Sequence, residues 1–191
     1  MNESLKQLAQ SIQVFFCDGD GVLFTGSVLV GAPYKAKWRS HADGQGISLL
    51  RAIGIRIVFI TNEKDEDAAA MREIVAKFNA LPSSKPQKAD GFEPVELFEG
   101  YGGPRKLEAA REFLDRSGLS LEHAAFMGDD VVDATLLRAV ALPCAPSTAE
   151  EPIKHLSKFI SERPGGAGAI RDLANMILAA RSIDPFTLPH Q

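Results

Sequence analysis

The chain has 191 residues, 45% of them hydrophobic, with 21 basic against 25 acidic side chains. That length suits one domain with a sizeable core. The absence of any basic block or acidic run argues against a nucleic-acid partner and against a disordered charged tail. No apolar run approaches the ~20 residues of a membrane span, and the first ten residues are polar and helical in pattern rather than a signal peptide. A cytoplasmic protein with no membrane partner is expected. Cys17 and Cys144 lack C-x-x-C spacing and read as small core hydrophobes.

Short apolar runs alternate with amphipathic stretches along the chain. Residues 14–17 read as the first strand. Residues 27–30 and 35–41 flank Gly31-Ala32-Pro33-Tyr34, a turn signal, and suggest a β-hairpin. Residues 46–53 read as a helix ending at Gly54, and 56–60 as a second core strand. Acids in the first turn and apolar residues at helical spacing predict a helix over 65–78. The stretch 81–94, rich in Pro, Ser, Lys and Gly, reads as an exposed loop. A strand is expected at 95–98, a helix at 104–117 stopped by Gly118, and a core strand at 124–127. Residues 130–140 read as helical, 141–144 as a short strand, 150–156 as a short helix and 158–161 as an edge strand. The last helix is expected at 168–181, followed by a loose tail over 182–191.

This alternation implies an α/β fold of three layers, a central parallel sheet covered by helices on both faces, with a protruding hairpin. Residues 1–181 form the expected single domain. Right-handed crossovers bring the C-terminal strand ends onto one edge, where ligands bind.

Polar signals fall at four of those strand ends. Asp18-Gly19-Asp20-Gly21 follows the first strand directly. Asp18 and Asp20 share a face, with Cα atoms roughly 6–7 Å apart. That spacing lets one carboxylate attack phosphorus while the other reaches the departing oxygen. Thr61-Asn62 follows the second core strand, Lys106 opens the helix after 95–98, and Gly128-Asp129-Asp130-Val131-Val132-Asp133 follows 124–127. Taken singly, each piece has a plainer reading as a turn, a helix cap or a solvated lysine. Taken together on one edge, they outline a phosphoryl-transfer site, and such hard oxygen ligands suit Mg²⁺. His41, His123, His155 and His190 show no metal-ligand spacing.

The ordered set Asp18-x-Asp20, Thr61, Lys106 and Gly128-Asp129-Asp130-x-x-Asp133 resembles the haloacid dehalogenase superfamily of aspartate-nucleophile phosphatases, over about residues 14–178. No helical cap domain fits between the motifs, so a Rossmann-like fold without a cap is implied. The hairpin after Gly21, Asp43-Gly44-Gln45-Gly46-Ile47, and the run from Pro164 to Arg171 resemble the capless phosphatases of 3-deoxy-manno-octulosonate 8-phosphate and nonulosonate 9-phosphates. Glu63-Lys64 is closer to the nonulosonate type, and Asp43-Gly44 to the octulosonate type. Phe24 stands where the family usually has threonine, and the stretch from Thr61 to Lys106 is longer than usual.

The resemblance implies a Mg²⁺-dependent phosphomonoesterase acting on a phosphorylated 2-keto-3-deoxy sugar acid, assembled as a homotetramer. Asp18 is the expected nucleophile and Asp20 the acid and base. Thr61, Asn62 and Lys106 are the expected phosphate-binding groups. Asp18, the carbonyl of Asp20 and Asp129 are the expected metal ligands, with Asp133 supporting or binding through water and Asp130 orienting Asp129. Glu63 and Lys64 are candidates for reading the sugar. Lys35, Lys37 and Arg39 share a strand face that could meet an anionic sugar from a neighbouring subunit, or simply protect a solvated edge. Gly165–Gly168 precedes a helix whose N-terminus could receive an anion, or is a plain turn. The rival readings are a phosphotransferase or mutase, a signalling receiver, and a non-catalytic tetramerisation module like the C-terminal domain of some sugar-acid cytidylyltransferases.

Overall fold

A computed structural model describes residues 2–29, 36–85 and 87–189. The expected hairpin turn Gly31-Ala32-Pro33-Tyr34, Lys35, Pro86 of the 81–94 stretch, and His190 and Gln191 of the tail lie outside the described residues. Among the described residues the strands are β1 (Val14–Asp18), β2 (Val28–Leu29), β3 (Ala36–Lys37), β4 (Arg56–Thr61), β5 (Glu96–Glu99), β6 (Ala124–Met127), β7 (Leu142–Ala145) and β8 (Phe159–Ile160). Six of them form one parallel sheet in the order β5-β4-β1-β6-β7-β8, while β2 and β3 pair antiparallel as the hairpin. The strand order reverses direction at β1 and β6, the place in such sheets where a crevice opens beyond the C-terminal strand ends.

The α-helices among the described residues are α1 (Glu3–Ser11), α2 (His41–Ala52), α3 (Ala69–Asn79), α4 (Arg105–Ser117), α5 (Ala134–Leu137), α6 (Glu151–Leu156) and α7 (Ala169–Ala180). Strand alternation sorts the core into two layers. Phe15, Cys17, Ile57 and Phe59 face α1, α2, α3 and α7. Val14, Phe16, Val58 and Ile60 face α4, α5 and α6, where Phe16 meets Phe113 edge to face at 5.7 Å. Both faces of β1 are therefore buried, which is why its sequence is a continuous apolar run. Cys17 and Cys144 are free and buried, as expected. Among the described residues, no helix is long and apolar enough to cross a membrane.

Most predicted elements form within a residue or two of their expected ends, but the hairpin strand expected over 35–41 stops at Lys37, and His41 opens α2 instead. The exceptions have local causes. Helix α2 starts at His41, five residues before Gly46, because Ser40 accepts from Ala42 N and caps it. The expected first residue, Gly46, instead lies inside the helix where α2 meets α7: a Cβ there would lie 2.8 Å from Arg171 Cα. The helix expected over 65–78 begins as a 3₁₀ turn (Asp65–Ala68), and the one over 130–140 as another (Val131–Asp133). The 81–94 stretch is mostly exposed but anchored. Arg51, only 4% exposed, donates to Phe78 O, Ser84 Oγ and Glu93 O, between the rings of Phe78 and Phe92. The tail carries a short 3₁₀ turn (Pro185–Thr187) capped by Asp184.

The N-terminus of α7 does not stand open to an anion. Asp43, fully buried on α2, already occupies it, accepting from Gly168 N at 2.8 Å and Ile170 N at 2.9 Å. Asp43→Ala removes both acceptors and leaves two buried donors unpaired. It is expected to destabilise the protein by about 2–3 kcal/mol, with Asp43→Asn costing less, in urea unfolding followed by circular dichroism.

Candidate active site

The sheet order sets β4, β1 and β6 side by side, so the polar residues after these strands and the first turn of α4 converge on one edge. Asp18 ends β1, and its Oδ1 accepts from Gly19 N at 2.7 Å and lies 2.8 Å from Lys106 Nζ. Lys106, in the first turn of α4 and 2% exposed, also lies 2.5 Å from Asp133 Oδ1. Asp133 is fully buried, and its Oδ2 accepts from Asp129 N at 3.0 Å and Asp130 N at 3.3 Å. It thereby ties the β6–α5 turn to the lysine. The expectation that Asp130 orients Asp129 is corrected here. Asp130 Oδ1 instead caps its own turn by accepting from Val131 N, and Asp133 holds the backbone of Asp129.

Carboxylate oxygens of Asp18, Asp129 and Asp133 all lie within 4.8 Å of one another. Burial pushes the Asp18 carboxyl up to about 7, against the pull of Lys106 and with help from Asp133 and Asp129. Burial likewise pushes Asp129 up to about 7, reinforced by Asp133 and Asp130. Burial works against the Lys106 ammonium, but Asp18 and Asp133 outweigh it and raise its pKa above the usual lysine value. The pocket is anionic and short of positive charge. Hard oxygen donors this close together fit a small divalent ion.

A cavity of about 220 Å³ opens beside these groups, walled by Asp18, Asp20, Thr61, Asn62, Glu63 and Lys106. Thr61 ends β4, and its Oγ1 accepts from Glu63 N at 3.1 Å, which directs the hydroxyl hydrogen elsewhere. Lys64 is exposed and is not among the cavity walls. Gly21 explains the end of the Asp-x-Asp-Gly motif. Its φ is +76°, and a Cβ there would run into the Asp129 carboxylate. Gly165 and Gly166 buttress this loop from behind: Gly166 N donates to Val22 O at 2.7 Å, and a Cβ on Gly165 would strike the Gly21 carbonyl.

The hairpin residues part company. Lys37 Nζ reaches into the site, 2.9 Å from the Asp20 carboxylate and in contact with Glu63. Its ammonium thus meets two carboxylates of its own chain. Arg39 points to the start of α2 beside Gly44, and Trp38 is 67% exposed. Strand alternation could group Lys37 with Arg39 but could not reveal that only one of them turns inward.

No family model matches the chain. The 3-deoxy-D-manno-octulosonate 8-phosphate phosphatase KdsC of Yersinia pestis is 27% identical over 176 residues, covering 92% of this chain and 84% of that protein. A hydrolase of HAD superfamily subfamily III A from Legionella pneumophila superposes with a TM-score of 0.79 at 27% identity, over 94% of this chain and 88% of that one. The 3-deoxy-D-manno-octulosonate 8-phosphate phosphatase of Moraxella catarrhalis, solved with a magnesium ion, a phosphate ion and KDO, superposes with a TM-score of 0.82 over 98% of both chains. At 24% identity that likeness is one of fold.

The raised pKa of Asp129 has a directional consequence. In the metal-free protein its charged form is disfavoured by folding, so stability is lost as pH rises from the unfolded value near 4 to the folded value of about 7. Asp129→Asn carries no such charge. In chelator, the melting temperature of the variant relative to the parent is expected to climb between pH about 5 and about 7.5, then level off. A difference that stays flat across that range would contradict the assignment.

Proposed function

We propose that this chain, a phosphatase of the haloacid dehalogenase type by fold, motif order and relatives, hydrolyses the phosphomonoester of a 2-keto-3-deoxy sugar acid through an aspartyl-phosphate on Asp18. The observation that carries the reading is the convergence of Asp18, Lys106 and Asp129 beside a cavity that also receives Asp20 and Thr61. Residues 1–181 act as the phosphatase unit, with 182–191 as a tail.

The contacts from Gly19 and Lys106 both fall on Asp18 Oδ1, so Oδ2 is the oxygen available to attack phosphorus. As the new O–P bond forms, the bond to the sugar oxygen breaks, and Asp20 gives that oxygen a proton. Asp20 then takes a proton from the water that opens the aspartyl-phosphate, releasing phosphate and restoring Asp18. The Thr61 hydroxyl and Asn62 N–H donate to phosphate oxygens, and Lys106 offsets the charge of both nucleophile and transferring group. Asp18, the Asp20 carbonyl and Asp129 would hold Mg²⁺. Asp133, whose two oxygens already serve Lys106 and the Asp129 and Asp130 amides, keeps these groups in place. The ion, when bound, supplies the positive charge that lets a carboxylate approach a phosphate dianion.

Substrate reading falls to Glu63 at the cavity wall and Lys64 on the rim. A homotetramer is supported by apolar surface on and near the hairpin, where Leu29 is 57% and Trp38 67% exposed. The complete set of reacting groups argues against the reading as a non-catalytic assembly module.

With Mg²⁺ present, Asp18→Asn is expected to lose at least about 10³-fold in single-turnover phosphate release, and Asp20→Asn about 10²–10⁴-fold. An Asp18→Asn protein with parental activity would remove it as nucleophile. Among octulosonate 8-phosphate, nonulosonate 9-phosphate and common hexose phosphates, a keto-deoxy sugar acid phosphate should give the highest kcat/KM. Mg²⁺ should also raise the melting temperature more at pH about 7.5 than at about 5.5, because protons compete for Asp18 and Asp129.

A further inference from the structure

We propose that Lys37 is a positioning residue for the acid–base step: its ammonium, delivered by the hairpin, holds the Asp20 carboxylate toward the leaving group and is itself held by Glu63. The proposal rests on the phosphatase reading above and deepens it.

Lys37 sits in a two-residue strand at the surface, between exposed Ala36 and 67% exposed Trp38. Its side chain is nonetheless only 1% exposed. Lysine stems ordinarily keep the ammonium in water, and a buried ammonium is tolerated only where it is paired. Here the partners are two carboxylates from separate elements. Asp20, from the turn after β1, lies 2.9 Å away, and Glu63, from the turn after β4, completes the bridge. The Phe24 ring lies under the same nitrogen at 5.2 Å. The Asp20 side chain is itself 40% exposed, so core packing alone does not select its rotamer. The lysine supplies the missing constraint.

The aim of Lys37 is set by hairpin register. Lys37 pairs with Val28, and Thr25 N donates to Trp38 O at 3.0 Å, tying the end of β3 to the loop that carries Asp20. A slip of one residue would turn the lysine to the opposite face. The hairpin is thus coupled to the chemistry through one side chain.

The consequence can be read in the first half-reaction. As Asp18 bonds to phosphorus, the electron pair of the breaking P–O bond goes to the leaving oxygen, which Asp20 protonates. A basic leaving group needs that proton and a weakly basic one does not. Losing the constraint on Asp20 must therefore slow a basic leaving group more. A role in folding, or in holding phosphate, would slow both alike.

The test compares phenyl phosphate with p-nitrophenyl phosphate, which are similar in size and unlike in leaving-group basicity. It reads kcat/KM, which covers the steps through aspartyl-phosphate formation, in the full-length protein with Mg²⁺. Lys37→Met is expected to lose at least about ten-fold more on phenyl phosphate than on p-nitrophenyl phosphate, and Lys37→Arg to recover most of that difference. Circular dichroism checks the fold, and Lys37→Gln carries the same comparison if Lys37→Met does not fold. Equal losses on the two esters, with the parent active on both, overturn the positioning role and leave the phosphatase reading intact. A parent that cleaves neither ester overturns the phosphatase reading and this role with it.

Discussion

An ammonium buried to the extent of Lys106 would cost several kcal/mol if it stood alone. It is stable because Asp18 and Asp133 both compensate it, at 2.8 and 2.5 Å. Those contacts join three places distant in sequence: the end of β1, the first turn of α4 and the turn after β6. Asp133 extends the network by holding the Asp129 and Asp130 amides with its other oxygen. The same cation therefore fixes the Asp18 carboxylate and, through Asp133, the backbone of Asp129. Three carboxylates against one ammonium still leave a formal excess of two negative charges. Burial, reinforced by that imbalance, holds Asp18 and Asp129 both near 7, and the excess negative charge suits a divalent cation.

The scaffold behind the site is built from the far end of the chain. Asp43 on α2 fills the N-terminus of α7, and the glycine loop just before α7 presses against the backbone from Gly21 to Thr25. The loop carrying Asp20 is thus clamped between Asp129 in front and Gly165 behind. Side chains at Gly21 or Gly165 would force these layers apart. The glycines serve close approach of backbone to backbone and to a carboxylate, and no ligand needs to be invoked for them.

How legible each part was follows from how local its cause is. β6 was legible to the residue because a buried parallel strand is a bare apolar run, and Gly128-Asp129 ends it sharply. The convergence of Asp18, Thr61 and Lys106 on one edge follows from strand–helix alternation and crossover handedness alone. The start of α2 was hidden because Gly44 and Gly46 lie in its first turns, while the reason for Gly46, contact with Arg171 of α7, lies more than 120 residues away. The cap on α7 was hidden for the same reason. A helix N-terminus advertises an anion site, and only the tertiary fold reveals that an aspartate of the same chain already fills it.

Lys37 exposes a subtler limit. Periodicity groups side chains by face, but a two-stranded hairpin has no core of its own to say which face is inner. The inner face is decided by what the hairpin leans against, here Asp20, Glu63 and Phe24. This arrangement divides labour within the fold. Asp18, Lys106 and Asp129 sit at a sheet edge rigidified by two packed layers, whereas Lys37 and Glu63 sit on the hairpin and the turn after β4. Lys37 is the point at which the two regions are mechanically joined, because it is the one described hairpin side chain that bridges to the Asp20 carboxylate.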